Sequence, residues 1–142
     1  MKARKLLLFR SSGQAFAVDA GATREIIALR SATRIPGADP AIRGLLNVRG
    51  TLVTLVDAAT AIGLAATPAP SGGTVILLEH GAHHVGLVVD EVLDLVPEDG
   101  AGLDAGGSLP GVRPDLVRAV GSAAGRPFVL LASDSLLAPL LP

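Results

Sequence analysis

The sequence lacks cysteine, tryptophan and tyrosine, and it contains only three phenylalanines. Without cysteine the chain has no disulfide, no thiol nucleophile and no thiolate ligand for zinc, a composition that suits a reducing compartment, and we expect the cytoplasm. With so few aromatic rings there is no platform on which nucleotide bases could stack. Twelve basic residues against thirteen acidic ones give a net charge of -1, so we expect no nucleic-acid partner.

Long hydrophobic runs are also absent. The first apolar run, Leu6 to Phe9, follows basic residues as in a signal peptide, but Arg10 ends it after four positions. A signal peptide needs about 7–15 apolar residues and a membrane-spanning helix about 20. We therefore predict a first β-strand here and no insertion into a membrane.

What the sequence does contain is many short stretches of Val, Leu, Ile and Ala, separated by glycine and proline. This pattern predicts an all-β fold with short helices. Two hairpins are expected, one across residues 6–18 and one across residues 45–56. Asp57 should cap a short helix, Ala58 to Ile62, that ends at Gly63. Residues 65–73 and 100–111, rich in glycine and proline, have the composition of loops.

The second part of the chain repeats this order. A hairpin is expected across residues 75–89, followed by Asp90-Glu91-Val92, then a second hairpin across residues 119–131 and a short helix over residues 133–138. We therefore predict one domain, residues 1–142, built from two similar β units with approximate halves 1–70 and 71–142.

Two groups of ionisable residues are candidates for chemistry. Asp90 and Glu91 are adjacent, so on a strand they point to opposite faces and cannot converge on one substrate atom. His80, His83 and His84 surround a glycine turn without the spacing of a zinc site, so we predict solvated turn residues.

A metal-dependent β-barrel hydrolase that uses the region from His80 to His84 with Asp90 and Glu91 remains the alternative function. An oligonucleotide-binding barrel is a third possibility, which the lack of aromatic and basic residues disfavours. The glycines of residues 100–107 lack the Gly-Lys-Ser/Thr of a phosphate loop. The sequence thus predicts no cofactor, no metal and no catalytic residue.

The segment Gly44 to Gly50 differs from the rest because polar Asn47 and Arg49 alternate with apolar residues on a predicted hairpin. An arginine held there offers a fixed fork of donors to a carboxylate, and Glu25 on a neighbouring strand is one candidate. An ordinary solvated arginine is the competing interpretation, since most exposed ion pairs contribute only ~0–1 kcal/mol.

These segments together resemble the CheW-like adaptor family. The central signature is Gly44-Leu45-Leu46-Asn47-Val48-Arg49-Gly50, followed by Leu52 to Asp57 and then Ile62-Gly63. Val89-Asp90-Glu91-Val92 is similar to the second signature. Glu25-Ile26-Ile27, Ile35-Pro36, Val129-Leu130-Leu131 and Leu136-Leu137 occur in the same order. Three positions depart from the family pattern: Thr54 replaces a proline, Ala58 a leucine and Ala132 an aspartate.

The resemblance implies two intertwined, small, five-stranded SH3-like β-barrels and a non-catalytic adaptor of chemotaxis or related signal transduction. One surface would bind the cytoplasmic tip of a methyl-accepting chemoreceptor, through Glu25 and Arg49 with Asn47 and Gly50 shaping the hairpin. Another would bind the regulatory domain of a CheA-type histidine kinase. The residues that the resemblance implies for the kinase are Gly86, Val88, Asp90 and Glu91. The expected location is the cytoplasm, at receptor arrays under the inner membrane.

Overall fold

The computed structural model describes residues 4–64, 73–105 and 109–141, which form ten β-strands and two short α-helices. The strands are β1 Lys5–Ser11, β2 Gln14–Asp19, β3 Thr23–Ala28, β4 Ile42–Val48, β5 Thr51–Asp57, β6 Thr74–His80, β7 His83–Val89, β8 Glu91–Pro97, β9 Val117–Ala123 and β10 Arg126–Leu131. The helices are α1 Ala58–Ile62 and α2 Ser133–Leu137, and single 3-10 turns lie at Ala20–Ala22, Glu98–Gly100, Pro114–Leu116 and Ala138–Leu140. In this part of the chain no helix has the length and apolarity needed to cross a bilayer.

The strands form two five-stranded sheets. The first sheet has the order β8-β1-β2-β10-β9, and the second has the order β3-β6-β7-β5-β4. The prediction of an all-β fold with short helices is confirmed. The predicted closure into barrels is wrong, because the pairing in the described part of the chain leaves β8 and β9, and likewise β3 and β4, as separate edge strands.

The two sheets are equivalent strand by strand. Each contains one hairpin whose inner strand pairs in parallel with a second hairpin: β2 with β10 in the first sheet, and β7 with β5 in the second. The two sheets therefore share one strand topology. The halves 1–70 and 71–142, however, do not each form one sheet, because each sheet takes its first hairpin from one half and its other strands from the other half.

The equivalence extends to the register of individual residues. In the second hairpins, the pairs Ile42–Val56 and Val48–Thr51 are matched 75 positions later by Val117–Leu131 and Ala123–Arg126. In the edge strands β3 and β8, equivalent residues are 69 positions apart: the pair Glu25–Leu77 is matched by Asp94–Leu8. The second sheet can therefore be compared with the first, position by position.

The core explains why the strands are so uniformly apolar. Leu7 and Phe9 of β1 point into a central core that both sheets and both helices share. Leu6 and Leu8, on the opposite face, belong to a second cluster within the first sheet. A third cluster lies within the second sheet and includes Val53. Strands buried on both faces need apolar residues at successive positions rather than at alternate ones.

Helix α1 has the predicted ends. The Asp57 carboxylate accepts hydrogen bonds from the backbone N–H of Thr60 at 3.1 Å and from its hydroxyl at 2.7 Å. Gly63, with φ of +100°, ends the helix in the left-handed conformation. Helix α2 lies where the sequence placed a helix, but its capping residue is Ala132, which provides no side-chain hydrogen bond.

One glycine of the central signature is required by close packing. A Cβ atom at Gly44 would lie 2.3 Å from the carbonyl oxygen of Thr33, and its φ of +147° disfavours any other residue. The approach allows Thr33 and Leu45 to exchange backbone hydrogen bonds of 2.9 and 2.8 Å. The loop after β3 is thereby joined to β4. Most of the predicted loop at residues 65–73, and Gly106 and Gly107 of the other loop, lie outside the described residues.

Candidate functional site

A cavity of about 260 Å³ opens at one end of the second sheet, and two arginine–glutamate pairs lie at its walls. Val48, Val53 and Leu77 line its apolar part. The charged part consists of Arg49 paired with Glu25 and of Arg24 paired with Glu79, beside His84. Charged pairs around an apolar floor are suited to binding a protein surface and provide no obvious chemical centre.

The turn between β4 and β5 presents Arg49. Arg49 and Gly50 both have positive φ, of +50° and +85°, as a two-residue hairpin turn of type I′ requires, and such a turn matches the right-handed twist of the flanking strands. The Asn47 side-chain oxygen accepts a hydrogen bond of 2.8 Å from the backbone N–H of Gly50. Asn47 and Gly50 therefore shape the turn, and Arg49 extends from it with 71% of its side chain exposed.

The predicted contact between Arg49 and Glu25 is present in the structure. The Arg49 guanidinium donates to both carboxylate oxygens of Glu25, through Nη2 to Oε2 and through Nη1 to Oε1 at 3.4 Å. The hydrogen bond from Arg49 lowers the pKa of the Glu25 carboxyl below its ordinary value, and Glu25 raises the pKa of Arg49. Since Glu25 lies on β3 and Arg49 follows β4, the pair connects the two edge strands of the second sheet.

Sequence reasoning missed the second pair, Arg24 with Glu79. Arg24 Nη2 donates to Glu79 Oε2 at 2.8 Å, across 55 positions of sequence. The register of β3 shifts between Thr23 and Glu25, so Arg24 is the extra residue of a β-bulge. A bulge redirects side chains, which explains how the successive residues Arg24 and Glu25 both line one cavity. Strict alternation along a strand would have predicted opposite faces.

Two of the residues that the resemblance implied for the kinase are interior residues of the second sheet. Val88 is 3% exposed and belongs to the sheet's own cluster. A Cβ atom at Gly86 would lie 2.6 Å from Leu55 and 2.8 Å from Val75. The structure thus gives Gly86 and Val88 a packing role, and their contribution to partner binding stays a prediction.

Asp90 and Glu91 lie where the chain passes from β7 of the second sheet to β8 of the first. The backbone N–H of Asp90 donates to the carbonyl of Arg10 at 2.9 Å, and its carboxylate accepts from the backbone N–H of Ser12 at 3.2 Å. Glu91 pairs with the Arg10 side chain while half of its own side chain stays exposed. Both acidic residues are held against the β1–β2 hairpin, and a partner can reach Glu91.

The histidines do not gather around a common point. His80 Nδ1 lies 3.3 Å from the exposed carboxylate of Asp134, whereas His84 lines the cavity beside Glu79. Across residues 4–64, 73–105 and 109–141, no three histidine or carboxylate side chains are grouped as metal ligands would be.

Comparison with known proteins identifies the family. The model of the CheW-like domain matches residues 5–139. The chemotaxis protein CheW of Rhizobium meliloti is 33% identical over 93 residues, which cover 66% of this chain and 60% of that protein. The protein PilI of Pseudomonas aeruginosa is 31% identical over 87 residues, which cover 61% of this chain and 49% of that protein. The chain thus spans about half to three fifths of the length of these curated relatives.

The fold is also similar to that of a solved structure. The crystal structure of the scaffolding protein TtCheW from Thermoanaerobacter tengcongensis superposes with a TM-score of 0.80, covering 92% of this chain and 89% of that one at 19% identity. Because the family model covers nearly the whole chain and the topology agrees, this protein belongs to the CheW-like domain family.

Proposed function

We propose that this protein is an adaptor that couples the cytoplasmic tip of a chemoreceptor to a CheA-type histidine kinase, in chemotaxis or a related signalling pathway. The observation that carries the proposal is the Arg49–Glu25 pair on the turn that Asn47 and Gly50 shape, within a chain that matches the CheW-like domain over residues 5–139. The protein would act in the cytoplasm, at receptor arrays under the inner membrane.

As a CheW-like domain whose fold matches that of a scaffolding protein, the chain would be a non-catalytic scaffold and not an enzyme. The alternative function, a metal-dependent hydrolase, has no support from the relatives. The two partner surfaces are proposed at different places: the Arg49 turn of the second sheet for the receptor, and the crossing at Asp90 and Glu91 for the kinase. Gly86 and Val88 would support the kinase surface from inside the sheet.

Charge reversal at Arg49 tests the receptor surface. We expect Arg49→Glu to fold like the parent, since exposed ion pairs contribute little to stability, and to bind a receptor-tip fragment at least ten-fold more weakly. Arg118→Glu, an exposed change in the first sheet, is the matched control and should bind within two-fold of the parent. Receptor binding by Arg49→Glu equal to that of the parent would show that the receptor surface lies elsewhere.

Reversal at Glu91 tests the kinase surface in the same way. Glu91→Arg should weaken binding to the isolated regulatory domain of a CheA-type kinase and leave receptor binding unchanged, because Glu91 belongs to the first sheet. If the unaltered protein binds no such kinase domain, the proposed adaptor function is wrong.

A further inference from the structure

The cavity beside the receptor-facing turn has a second arginine that has no assigned role. We propose that Arg24, held by Glu79, is a second contact of this surface and that it binds a carboxylate of an acidic segment on the receptor tip. This inference rests on the proposed function, because it adds a residue and a partner chemistry to the surface already assigned to Arg49.

The first argument is the orientation of the charges at the cavity. Of the two members of each ion pair, the arginine is the more exposed one: Arg24 is 63% exposed against 38% for Glu79, and Arg49 is 71% exposed against 39% for Glu25. A partner that approaches the cavity therefore meets two guanidinium groups first. Each guanidinium has five donors and uses at most two of them in its pair, so donors remain for a further carboxylate.

The second argument is that the fold itself does not need these charges. The first sheet has the same strand order, and β8 has a register shift at the position of the bulge in β3. At the equivalent positions it carries Leu93 in place of Arg24 and Ala124 in place of Arg49. Since the same architecture forms there without this pair of arginines, their presence in the second sheet points to a binding role.

The third argument is the part that Glu79 has in the arrangement. Its carboxylate orients Arg24 with a single hydrogen bond of 2.8 Å, and that hydrogen bond lowers the pKa of Glu79 below its ordinary value. An arginine oriented before binding loses less side-chain entropy when a carboxylate arrives. Arg24 and Arg49 together then favour an acidic partner over a basic one.

The test measures binding of a receptor-tip fragment by isothermal titration calorimetry. Arg24→Leu is the main variant, because leucine already occupies the equivalent bulge as Leu93 and is compatible with this backbone. We expect Arg24→Leu to bind five- to twenty-fold more weakly than the parent, and Arg24→Glu to bind more weakly still. Arg118→Leu and Arg118→Glu, at an exposed arginine of the first sheet, control for the change in net charge and should bind within two-fold of the parent.

A third substitution tests the sign of the partner's charge. Glu79→Gln keeps a side-chain oxygen that can accept the hydrogen bond from Arg24 but removes a negative charge from the cavity, so an acidic partner should bind two- to three-fold more tightly. Binding by Glu79→Gln equal to or weaker than that of the parent would contradict an acidic partner and would overturn the inference.

The outcomes also separate this inference from the function on which it rests. If the parent does not bind the receptor fragment, the proposed function fails, and the inference fails with it. If the parent binds, Arg49→Glu loses binding and Arg24→Leu binds as the parent does, the receptor surface stands and the role of Arg24 is refuted.

Discussion

The comparison between the two sheets predicts that one substitution stabilises the protein. Residues of the second hairpins are equivalent 75 positions apart, so Asp57, the capping residue before α1, corresponds to Ala132, the capping residue before α2. Asp57 caps its helix and also accepts hydrogen bonds from Arg43, at 3.1 Å from Nε and 2.8 Å from Nη2. By the same offset, Arg118 is the counterpart of Arg43. We therefore predict that Ala132→Asp gives α2 the helix cap that it lacks and forms an ion pair with Arg118.

The magnitude follows from the two interactions. The backbone of Ala132 is already extended, with φ of -81° and ψ of 96°, close to the -74° and 115° of Asp57. A helix cap is worth about 1 kcal/mol, and an exposed ion pair about 0–1 kcal/mol. Asp19 and Asp134 line the same cavity as Arg118 and oppose a new negative charge. A net gain of about 1 kcal/mol raises the thermal midpoint by about 3 °C for a chain of this size.

Differential scanning calorimetry at neutral pH measures the effect. Ala132→Asn, which caps a helix as well as aspartate does but carries no charge, separates the cap from the ion pair. Asp57→Ala should have the opposite effect and cost about 2 kcal/mol, because it removes a cap and leaves the Arg43 guanidinium without its partner. Midpoints of Ala132→Asp and Ala132→Asn at or below that of the parent would show that the two helix starts are not equivalent.

Three further predictions concern stability. Gly44→Ala should cost about 2 kcal/mol or more in urea denaturation, because its Cβ would overlap the carbonyl of Thr33; an unchanged midpoint would refute the close approach. Gly86→Ala should cost about 1–2 kcal/mol by overpacking against Leu55, and a gain in stability would contradict this. The lowered pKa of Glu25 means that its ion pair stabilises the fold above the ordinary glutamate pKa of 4.5 and that this contribution is lost as the pH falls below it. Glu25→Gln should therefore lose less thermal stability than the parent between about pH 6 and about pH 3, and an equal loss would contradict the assignment.

The features that the sequence predicted are local ones. Helix α1 could be predicted because an aspartate cap, an alanine-rich stretch and a terminal glycine all lie within seven consecutive residues. The turn at Arg49 could be predicted because the strand pattern and Gly50 are adjacent. Even the contact of Arg49 with Glu25 could be anticipated, since β3 and β4 are consecutive strands and the two side chains carry opposite charges.

The features that were missed depend on pairing between distant segments. A single strand does not reveal that β8 pairs with β1 rather than with β7 beside it in sequence, so only the resemblance, which implied intertwined units, anticipated the exchange of strands between the halves. Arg24 was missed for the same reason, because the bulge and the partner Glu79 become apparent only when β3 pairs with β6. Val88 was given a surface role by the resemblance alone, and its burial could not be predicted because an uninterrupted apolar strand does not show which face is buried.

The central claim is that one protein binds two partners at separate surfaces. Size-exclusion chromatography with light scattering, on a mixture of this protein, a receptor-tip fragment and the regulatory domain of a CheA-type kinase, tests it most directly. The adaptor function predicts that all three elute as one complex, that Arg49→Glu retains the kinase domain but loses the receptor fragment, and that Arg118→Glu retains both. The adaptor function would be contradicted if neither partner eluted with the parent protein, or if the receptor fragment still eluted with the Arg49→Glu variant.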